Sequence, residues 1–217
     1  MRTITVGVLG AGRIGRLHTE NLFRMPGVQV KSIADPYADF SDWPPEGIET
    51  GVDPSLVLED PEIEAVLICS PTPTHAPFTE AAATAGKHIF CEKPVDLDPE
   101  SIRRTLEVVA VTGVKLQVGF NRRFAPLARK LFYFTSKRQE PLVAHYRVNA
   151  EFLPLDHWLH DPEQGGGRII GEACHFVDFL TFLCGALPKS VYAAAMSDPQ
   201  NMRDSVTINL GYENGSI

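Results

Sequence analysis

Apolar, β-branched runs alternate with helical patterns along the first part of the chain. Thr3 to Leu9 and Val28 to Ala34 are apolar and rich in β-branched residues, a composition typical of strands buried on both faces. Between them, Leu17, Leu22 and Phe23 belong to a helical pattern. The pattern predicts a strand, a helix and a second strand that lies parallel to the first.

The alternation continues through the middle of the chain. After the proline- and glycine-rich stretch from Asp39 to Asp53, which is predicted to be irregular, strand and helix patterns again follow one another. Asp98 is a good helix N-cap with Pro99 at the first helical position. The predicted elements are strands over Ala65 to Cys69, Lys87 to Phe90 and Val114 to Gly119, and helices through Ala81 to Ala85 and from Pro99 to about Val111. This succession predicts an α/β fold with a doubly wound parallel sheet.

A glycine-rich turn joins the first strand to the first helix. It reads Gly10-Ala11-Gly12-Arg13-Ile14-Gly15, the G-x-G-x-x-G spacing of dinucleotide-binding folds. Gly10 allows the tight turn, Gly12 lets a pyrophosphate approach the backbone, and Gly15 lets helix and strand pack closely. The start of the helix, with Arg13 and Ile14, presents N–H groups to the phosphates. The turn therefore predicts a Rossmann domain.

An acidic residue ends the second strand. Asp35 lies about twenty residues beyond the last glycine, where a carboxylate binds the ribose hydroxyls of the cofactor. Pro36 and Tyr37 follow it, so no basic residue stands ready for a 2′-phosphate. This favours NAD over NADP. The alternative is a tight turn followed by an ordinary strand-end aspartate.

A lysine leaves the end of another predicted strand, in Cys91-Glu92-Lys93-Pro94. Ligands bind at the carboxyl ends of strands in open parallel sheets. An ammonium held there can donate or relay a proton, and its pKa shifts readily when water is excluded. The alternative for Lys93 is a solvated strand-end lysine.

Composition and charge indicate which binding partners and which cellular compartment this protein is expected to have. The formal net charge is −7 and the basic residues are dispersed, which argues against nucleic acid or an anionic membrane as partner. The longest apolar stretch, Phe176 to Leu187, contains Asp178, so no membrane span is predicted. Arg2 to Leu9 lacks the length and cleavage site of a signal peptide. The cysteines lie in apolar surroundings without a C-x-x-C pair and predict reduced thiols in the cytoplasm: Cys69, Cys91, Cys174 and Cys184.

Taken together, several motifs resemble those of the glucose–fructose oxidoreductase/inositol dehydrogenase (Gfo/Idh/MocA) family. They are the glycine turn, Cys69-Ser70-Pro71-Thr72, Gly86-Lys87-His88, Glu92-Lys93-Pro94 and Gly119-Phe120-Asn121-Arg122-Arg123-Phe124. The resemblance implies a Rossmann domain over residues 1–121. It also implies a partial C-terminal α/β domain over 122–217, with a mostly antiparallel sheet that completes the substrate site and forms homo-oligomers.

The resemblance also implies roles for individual residues. Lys93 would lie beside nicotinamide and substrate as a catalytic group, and Glu92 and Pro94 would shape its turn. Three residues after the preceding strand would line the cofactor: Ser70, Thr72 and His75.

The second catalytic element that the resemblance implies follows a glycine run, Gly165 to Gly167. His175 matches the family histidine that contacts substrate hydroxyls and acts as base, although a core histidine is the alternative. Many members carry an aspartate where this chain has Gly171. Glu172 is three residues before His175 and shares a helix face with it. It either replaces that aspartate or caps the helix start, where a carboxylate is also favoured.

These residues predict the oxidation of a secondary alcohol by NAD, or the reverse reduction. One of His175 and Lys93 removes the hydroxyl proton while the other orients the oxygen. The first half resembles inositol 2-dehydrogenases, and the second half is similar to relatives in polysaccharide and nucleotide-sugar metabolism. The predicted substrate is thus a cyclitol, sugar or nucleotide sugar. The alternatives are an NAD(P)-binding regulatory protein without turnover and a scaffold that binds no cofactor.

The spacing of histidines and aspartates in Asp156 to Asp161 is no recognised ligand set, so no metal site is predicted and a substrate or interface loop is favoured.

Val206 to Tyr212 reads as a strand, and Asn214-Gly215 is a strong hairpin-turn signal. Because family members continue beyond this point, the sequence is expected to be truncated.

Overall fold

The computed structural model describes residues 2–197 and 204–217. The chain divides into two units, Met1–Gly119 and Phe120–Ile217. The division falls two residues before the boundary predicted from the sequence, at the end of the last strand of the first unit.

A six-stranded parallel sheet forms the first unit. Its strands are β1 Ile4–Leu9, β2 Val28–Ala34, β3 Glu49–Gly51, β4 Ala65–Ile68, β5 His88–Cys91 and β6 Leu116–Val118. They lie in the order β3-β2-β1-β4-β5-β6. β1 and β4 are neighbours at the centre, and the strands that follow each of them extend the sheet in opposite directions, as in doubly wound folds. This confirms the predicted α/β class.

Helices cover both faces of this sheet. They are α1 Arg13–Phe23, α2 Ser55–Leu58, α3 His75–Thr84 and α4 Pro99–Thr112. One face packs against α2, α3 and α4 through apolar residues that include Val57, Ala82 and Val108. The other packs against α1 through Leu22 and Phe23. Burial on both faces explains why the central strands read as nearly continuous apolar runs.

The start of α4 follows the predicted capping pattern. The Asp98 carboxylate accepts hydrogen bonds from the backbone N–H groups of Glu100 and Ser101, at 3.2 and 3.1 Å. Pro99 occupies the first helical position, where its missing N–H costs nothing. The prediction for this helix start is confirmed.

The prediction that Asp39 to Asp53 is wholly irregular is wrong at one point. Within it, β3 pairs in parallel with β2, with Ser32 opposite Glu49. A three-residue edge strand is too short to show a periodic pattern. The rest of the segment is irregular but packed, since Phe40 and Trp43 lie against the core on the α1 face.

In its described residues, the second unit contains two α-helices and a two-stranded antiparallel sheet. Its elements are α5 Pro126–Thr135, α6 Cys174–Cys184, β7 Pro188–Ala195 and β8 Val206–Tyr212. The α6 helix ends at Gly185, which adopts the left-handed conformation expected of it (φ 68°). Neither α5 nor β7 was predicted. Phe132 of α5 stacks on Phe182 of α6 at 4.2 Å, so the apolar face of α5 is defined by its tertiary partner.

The Asn214-Gly215 turn follows β8, as predicted. The Tyr212 carbonyl accepts the Gly215 N–H at 3.0 Å, and the Tyr212 N–H donates to the Ser216 carbonyl at 2.9 Å. Ile217 then exchanges backbone hydrogen bonds with Leu142 and Ala144. The sheet partner of β8 is the preceding strand, β7.

Candidate functional site

The carboxyl ends of the central strands lie along one edge of the sheet. The ladder of backbone hydrogen bonds continues one residue past the strands, from the N–H of Gly10 to Ala34 and from the N–H of Glu92 to Ile68, both at 2.9 Å. The N–H of Gly119 donates to the Cys91 carbonyl at 2.8 Å. This register brings the glycine turn, Glu92 and Gly119 to the same edge, beside the reversal of strand order where ligands bind.

Close approach of the backbone explains two of the glycines. Gly10 has φ +98°, and a Cβ there would lie 2.5 Å from the Ser70 nitrogen. A Cβ on Gly15 would lie 2.0 Å from the Gly10 carbonyl oxygen, so α1 packs against the turn only without it. At Gly12 a Cβ would meet no protein atom within 4 Å. The turn therefore has open space at the glycine to which the fingerprint assigns the pyrophosphate.

Asp35 is tied directly to the glycine turn. Its Oδ2 accepts the Ala11 N–H at 2.7 Å, and its Oδ1 accepts the Tyr37 N–H at 2.8 Å. These two bonds orient the carboxylate at the end of β2. The helix that begins after Gly12 has no side-chain cap, which leaves its first N–H groups available to an anion. Arg13 and Ile14 occupy this first turn.

The segment after β4 forms a wall of the same edge. The hydroxyls of Ser70 and Thr74 lie 2.6 Å apart, and Thr72 begins a 3₁₀ turn, Thr72–Thr74. Thr72 is buried at 8% exposure, whereas Ser70 is half-buried. Both residues remain predicted cofactor contacts.

His75, also a predicted cofactor contact, is buried. Its side chain is only 2% exposed, and its contact with the cofactor remains a prediction. Nδ1 lies 2.6 Å from the Pro94 carbonyl oxygen and Nε2 lies 2.7 Å from that of Ser70. His75 therefore joins the segments that follow β4 and β5 from behind, because helix α3 starts at this residue and turns its ring inward.

Lys93 lies in the turn after β5, where its peptide bond to Pro94 is cis. Its backbone N–H donates to Glu92 Oε2 at 3.2 Å. The other carboxylate oxygen, Oε1, accepts a hydrogen bond from His18 Nε2 at 2.8 Å. Burial by itself would raise the pKa of Glu92. The hydrogen bonds from His18 and Lys93, with the positive charge of Lys93, outweigh burial and lower that pKa below its ordinary value.

The lowered pKa gives Glu92 a defined dependence on pH. We expect Glu92→Gln to reduce the free energy of unfolding by about 1 kcal/mol at neutral pH, because the hydrogen bonds favour the ionised side chain. A carboxyl whose pKa is lower in the folded than in the unfolded protein stabilises the fold at pH values above its unfolded pKa of 4.5. That stabilisation is lost as pH falls through the folded value.

Urea unfolding of wild type and Glu92→Gln from neutral to acidic pH checks this prediction. The difference between the two proteins should be constant down to about pH 5 and should shrink below pH 4.5. A difference that grows with acidification would contradict it.

Burial disfavours the thiolate form of the cysteines at this edge. Burial raises the pKa of Cys91 to about 12 and raises that of Cys69 further still. At neutral pH both are therefore protonated thiols, which are poor nucleophiles. All four cysteines are free.

In the second unit, His175 lies in the first turn of α6. Its ring meets that of Phe120 edge to face, with centroids 6.1 Å apart. A π-helical turn, Ile169–Ala173, precedes the helix. His175 is half-buried, and its catalytic role remains a prediction.

The capping alternative for Glu172 is wrong. The N-cap of α6 is Ala173 and no side chain caps it. Glu172 Oε2 instead lies 3.2 Å from Nη1 of Arg168, one π-helical turn earlier. Arg168 also faces Asp204, at 3.7 Å. Arg168 was not predicted, although its spacing of four residues before Glu172 is a signal for such a pair.

Gly171 has a packing reason for lacking a side chain. A Cβ there would lie 2.5 Å from Leu159 Cδ1, and Leu159 is buried at 5% exposure. Leu159 comes from the Asp156 to Asp161 segment, where a 3₁₀ turn places it inward. An aspartate at position 171 would therefore displace Leu159. Leu159 is the buried residue of this segment, and the described residues bring no three metal-ligating side chains together.

Within the part of the chain that the structure describes, no helix has the length and apolarity needed to cross a membrane.

Two family models match the chain. The model described as "Oxidoreductase family, NAD-binding Rossmann fold" covers residues 4–120, and that described as "GFO/IDH/MocA C-terminal domain" covers residues 140–217. The first model spans nearly all of the first unit, and the second spans the second unit from residue 140 onward.

Individual relatives agree with the family models. An uncharacterised oxidoreductase of Bacillus subtilis, YrbE, is 35% identical across 100% of this chain and 66% of its own length. The myo-inositol 2-dehydrogenase of Thermotoga maritima is 41% identical across 87% of this chain and 57% of its own. A crystal structure of a myo-inositol dehydrogenase from Corynebacterium glutamicum superimposes with a TM-score of 0.77 at 25% identity, covering 99% of this chain and 66% of that one. The chain thus spans about two thirds or less of the length of these relatives.

Proposed function

Because the chain belongs to the Gfo/Idh/MocA family of oxidoreductases, we propose that it is part of an NAD-dependent dehydrogenase that oxidises a secondary alcohol of a cyclitol. The observation that carries the proposal is the common sheet edge of the glycine turn, Asp35 and Lys93. The cyclitol is favoured by the 41% identity to a myo-inositol 2-dehydrogenase. The wider class predicted from the sequence also includes sugars and nucleotide sugars.

The residues at this edge fit a dinucleotide. Gly12 leaves space beside the turn for a pyrophosphate, and the uncapped start of α1 offers it N–H donors. Asp35 is oriented by Ala11 to accept hydrogen bonds from ribose hydroxyls. A 2′-phosphate near that carboxylate would be repelled, which favours NAD over NADP. Ser70 and Thr72 form the adjoining wall.

Lys93 is proposed to move the proton of the reacting hydroxyl. NAD, when bound, accepts a hydride at its nicotinamide ring. Loss of a hydride from a carbinol carbon requires loss of the hydroxyl proton, and a positioned amine or imidazole can accept it. The acceptor is assigned as Lys93 or His175. Glu172 would act on the substrate only if it leaves Arg168.

Substitution of Gly12 separates cofactor binding from folding. We expect Gly12→Ala to leave the free energy of unfolding within about 0.5 kcal/mol of wild type, as for a surface change, because its Cβ meets no protein atom within 4 Å. The Kd for NAD should rise at least about tenfold, about 1.4 kcal/mol, because the methyl group occupies the space of the pyrophosphate. Calorimetric titration and urea unfolding measure the two quantities. Unchanged NAD affinity would contradict the assigned binding site.

The proposed activity is tested directly with the full-length protein. Formation of reduced nicotinamide is followed by its absorbance with NAD and a panel of myo-inositol, scyllo-inositol, glucose and a nucleotide sugar. Turnover that is highest with an inositol supports the proposal. NAD binding without turnover of any alcohol in the panel would overturn it in favour of a regulatory protein, and absence of NAD binding would favour a scaffold.

Location and assembly are part of the same proposal. We propose a cytoplasmic protein, supported by four free cysteines, and a homo-oligomer formed through the C-terminal sheet. Every residue of β7 is exposed in the unit to which it belongs. Light scattering of the full-length protein at several concentrations measures the oligomeric state.

A further inference from the structure

His18 connects the helix of the glycine turn to the strand that carries Lys93. It lies one helical turn beyond Gly15, in α1. Its ring meets Phe90 of β5 edge to face, with centroids 5.1 Å apart, and its Nε2 donates to Glu92 Oε1 at 2.8 Å. Phe90 and Glu92 are two residues apart, so both side chains point to the same face of the sheet. One side chain of α1 therefore contacts both.

The Glu92 carboxylate is enclosed on its other side by β6. A Cβ on Gly119 would lie 3.0 Å from Cδ and from both carboxylate oxygens of Glu92. The carboxylate thus lies directly against the backbone at Gly119. With His18 on one side and Gly119 on the other, its side chain has little room to change conformation. Its exposed fraction is 19%.

The second carboxylate oxygen of Glu92 holds the backbone of Lys93 in place. Glu92 Oε2 accepts the backbone N–H of Lys93 at 3.2 Å. A connected path runs from α1 through His18 and Glu92 to the Lys93 backbone. The hydrogen bonds keep the carboxylate ionised in spite of burial, because they lower the pKa of Glu92.

We propose that His18 is a positioning residue: by holding the Glu92 carboxylate against Gly119, it fixes the Lys93 turn relative to the helix that begins at the dinucleotide loop. The inference rests on the proposed function, since it assigns Lys93 a reacting proton. His18 thereby contributes to the proposed reaction without touching the substrate or the reacting atoms. Its effect is on the geometry of Lys93 and thus on kcat, while contributing little to NAD affinity.

Three variants separate the effect of the His18 hydrogen bond to Glu92 from the effect of the size and packing of the His18 ring. His18→Leu keeps an apolar contact with Phe90 and removes the donor to Glu92. His18→Gln restores an amide donor at a similar reach, so it is the rescue variant. Gly119→Ala leaves His18 and every charge intact but displaces the Glu92 carboxylate by a few tenths of an ångström.

The first readout is the split between kcat and binding, with NAD and myo-inositol. His18→Leu should lower kcat about 10- to 100-fold, because misplacing a reacting group by about 1 Å costs on the order of 10²-fold. Gly119→Ala shifts the carboxylate by only a few tenths of an ångström and should lower kcat by at least about threefold. The KM for myo-inositol and the Kd for NAD should change less than about threefold. His18→Gln should recover most of kcat. In a Glu92→Gln background, His18→Leu should have little further effect, since both act through one carboxylate.

The second readout needs neither substrate nor turnover. The rate at which an amine-specific reagent labels each lysine is followed by mass spectrometry on the free protein. Lys93 should be labelled at least about threefold faster in His18→Leu than in wild type, because its turn opens more often. Lys115, which is exposed, serves as the internal reference and should not change. His18→Gln should return Lys93 to the wild-type rate.

Failure of this inference is distinguishable from failure of the proposed function. Unchanged Lys93 labelling in both His18→Leu and Gly119→Ala overturns the inference, whatever the activity. An equal loss of NAD affinity and kcat in His18→Leu also overturns it, because His18 would then act through cofactor binding. If instead Lys93→Ala retains full turnover, the proposed role of Lys93 is wrong, and labelling alone decides whether His18 positions the turn.

Discussion

Replacing Lys93 with alanine is expected to lower kcat for the proposed oxidation of an inositol by about 10³-fold, within the range of a lost general acid–base group. The residue leaves the end of β5 at the sheet edge that also carries the glycine turn and Asp35. Its backbone is held by Glu92, so the substitution removes the amine while the turn keeps its hydrogen bond. The Kd for NAD should therefore change less than about threefold.

Steady-state kinetics and calorimetric titration on the same preparations measure both quantities. Lys115→Ala is the matched control, since Lys115 is an exposed lysine at the start of β6, and it should retain wild-type kcat and Kd. A variant Lys93→Ala with wild-type kcat would contradict the assignment and leave His175 to carry the proton transfer. A loss of NAD affinity as large as the loss of kcat would make Lys93 a binding residue.

The second large effect concerns the stability of the second unit. Asp178→Ala is expected to lower the free energy of unfolding by about 2 kcal/mol, less than for a fully buried ion pair, because water reaches part of the Arg123 guanidinium. Asp178 is only 7% exposed and accepts two hydrogen bonds from the Arg123 guanidinium, that from Nε at 2.7 Å. Removing the carboxylate leaves this guanidinium, which is 36% exposed, without the partner that offset its desolvation.

Urea unfolding of the variant tests this value. Glu163→Ala is the control, because Glu163 is an exposed acidic residue of the same unit and should change stability by less than about 0.5 kcal/mol. The double variant Arg123→Met with Asp178→Leu should recover most of the loss, since apolar replacement of a whole buried pair is close to neutral. A single variant as stable as wild type would show that the pair contributes nothing to the fold.

The strands and turns of the first unit could be read from the sequence because their signals are local. The apolar run of β1, the G-x-G-x-x-G turn and the capping Asp98 each act through neighbours within a few residues. Burial on both faces of the sheet also leaves a direct mark on composition. For the same reason β3 was missed, since a three-residue edge strand has no pattern of its own.

The inward orientation of His75 and the reason for Gly171 could not be read in this way. His75 is joined to Ser70 and Pro94 through a ring that α3 turns into the interior. Gly171 makes room for Leu159, which is twelve positions earlier. Neither contact has a periodicity or a motif, because each depends on how separate segments pack.

The sequence alone determined the fold class, the dinucleotide turn and the candidate lysine, since strand burial, glycine geometry and strand-end chemistry are properties of short segments. Only the tertiary structure decided what surrounds that lysine. His18, Glu92 and Gly119 come from α1, the end of β5 and the end of β6. Residues so far apart in the chain meet only when the sheet brings its strand ends and covering helix together. The packing of the sheet, and no local pattern, therefore places a histidine against Glu92, the residue before Lys93.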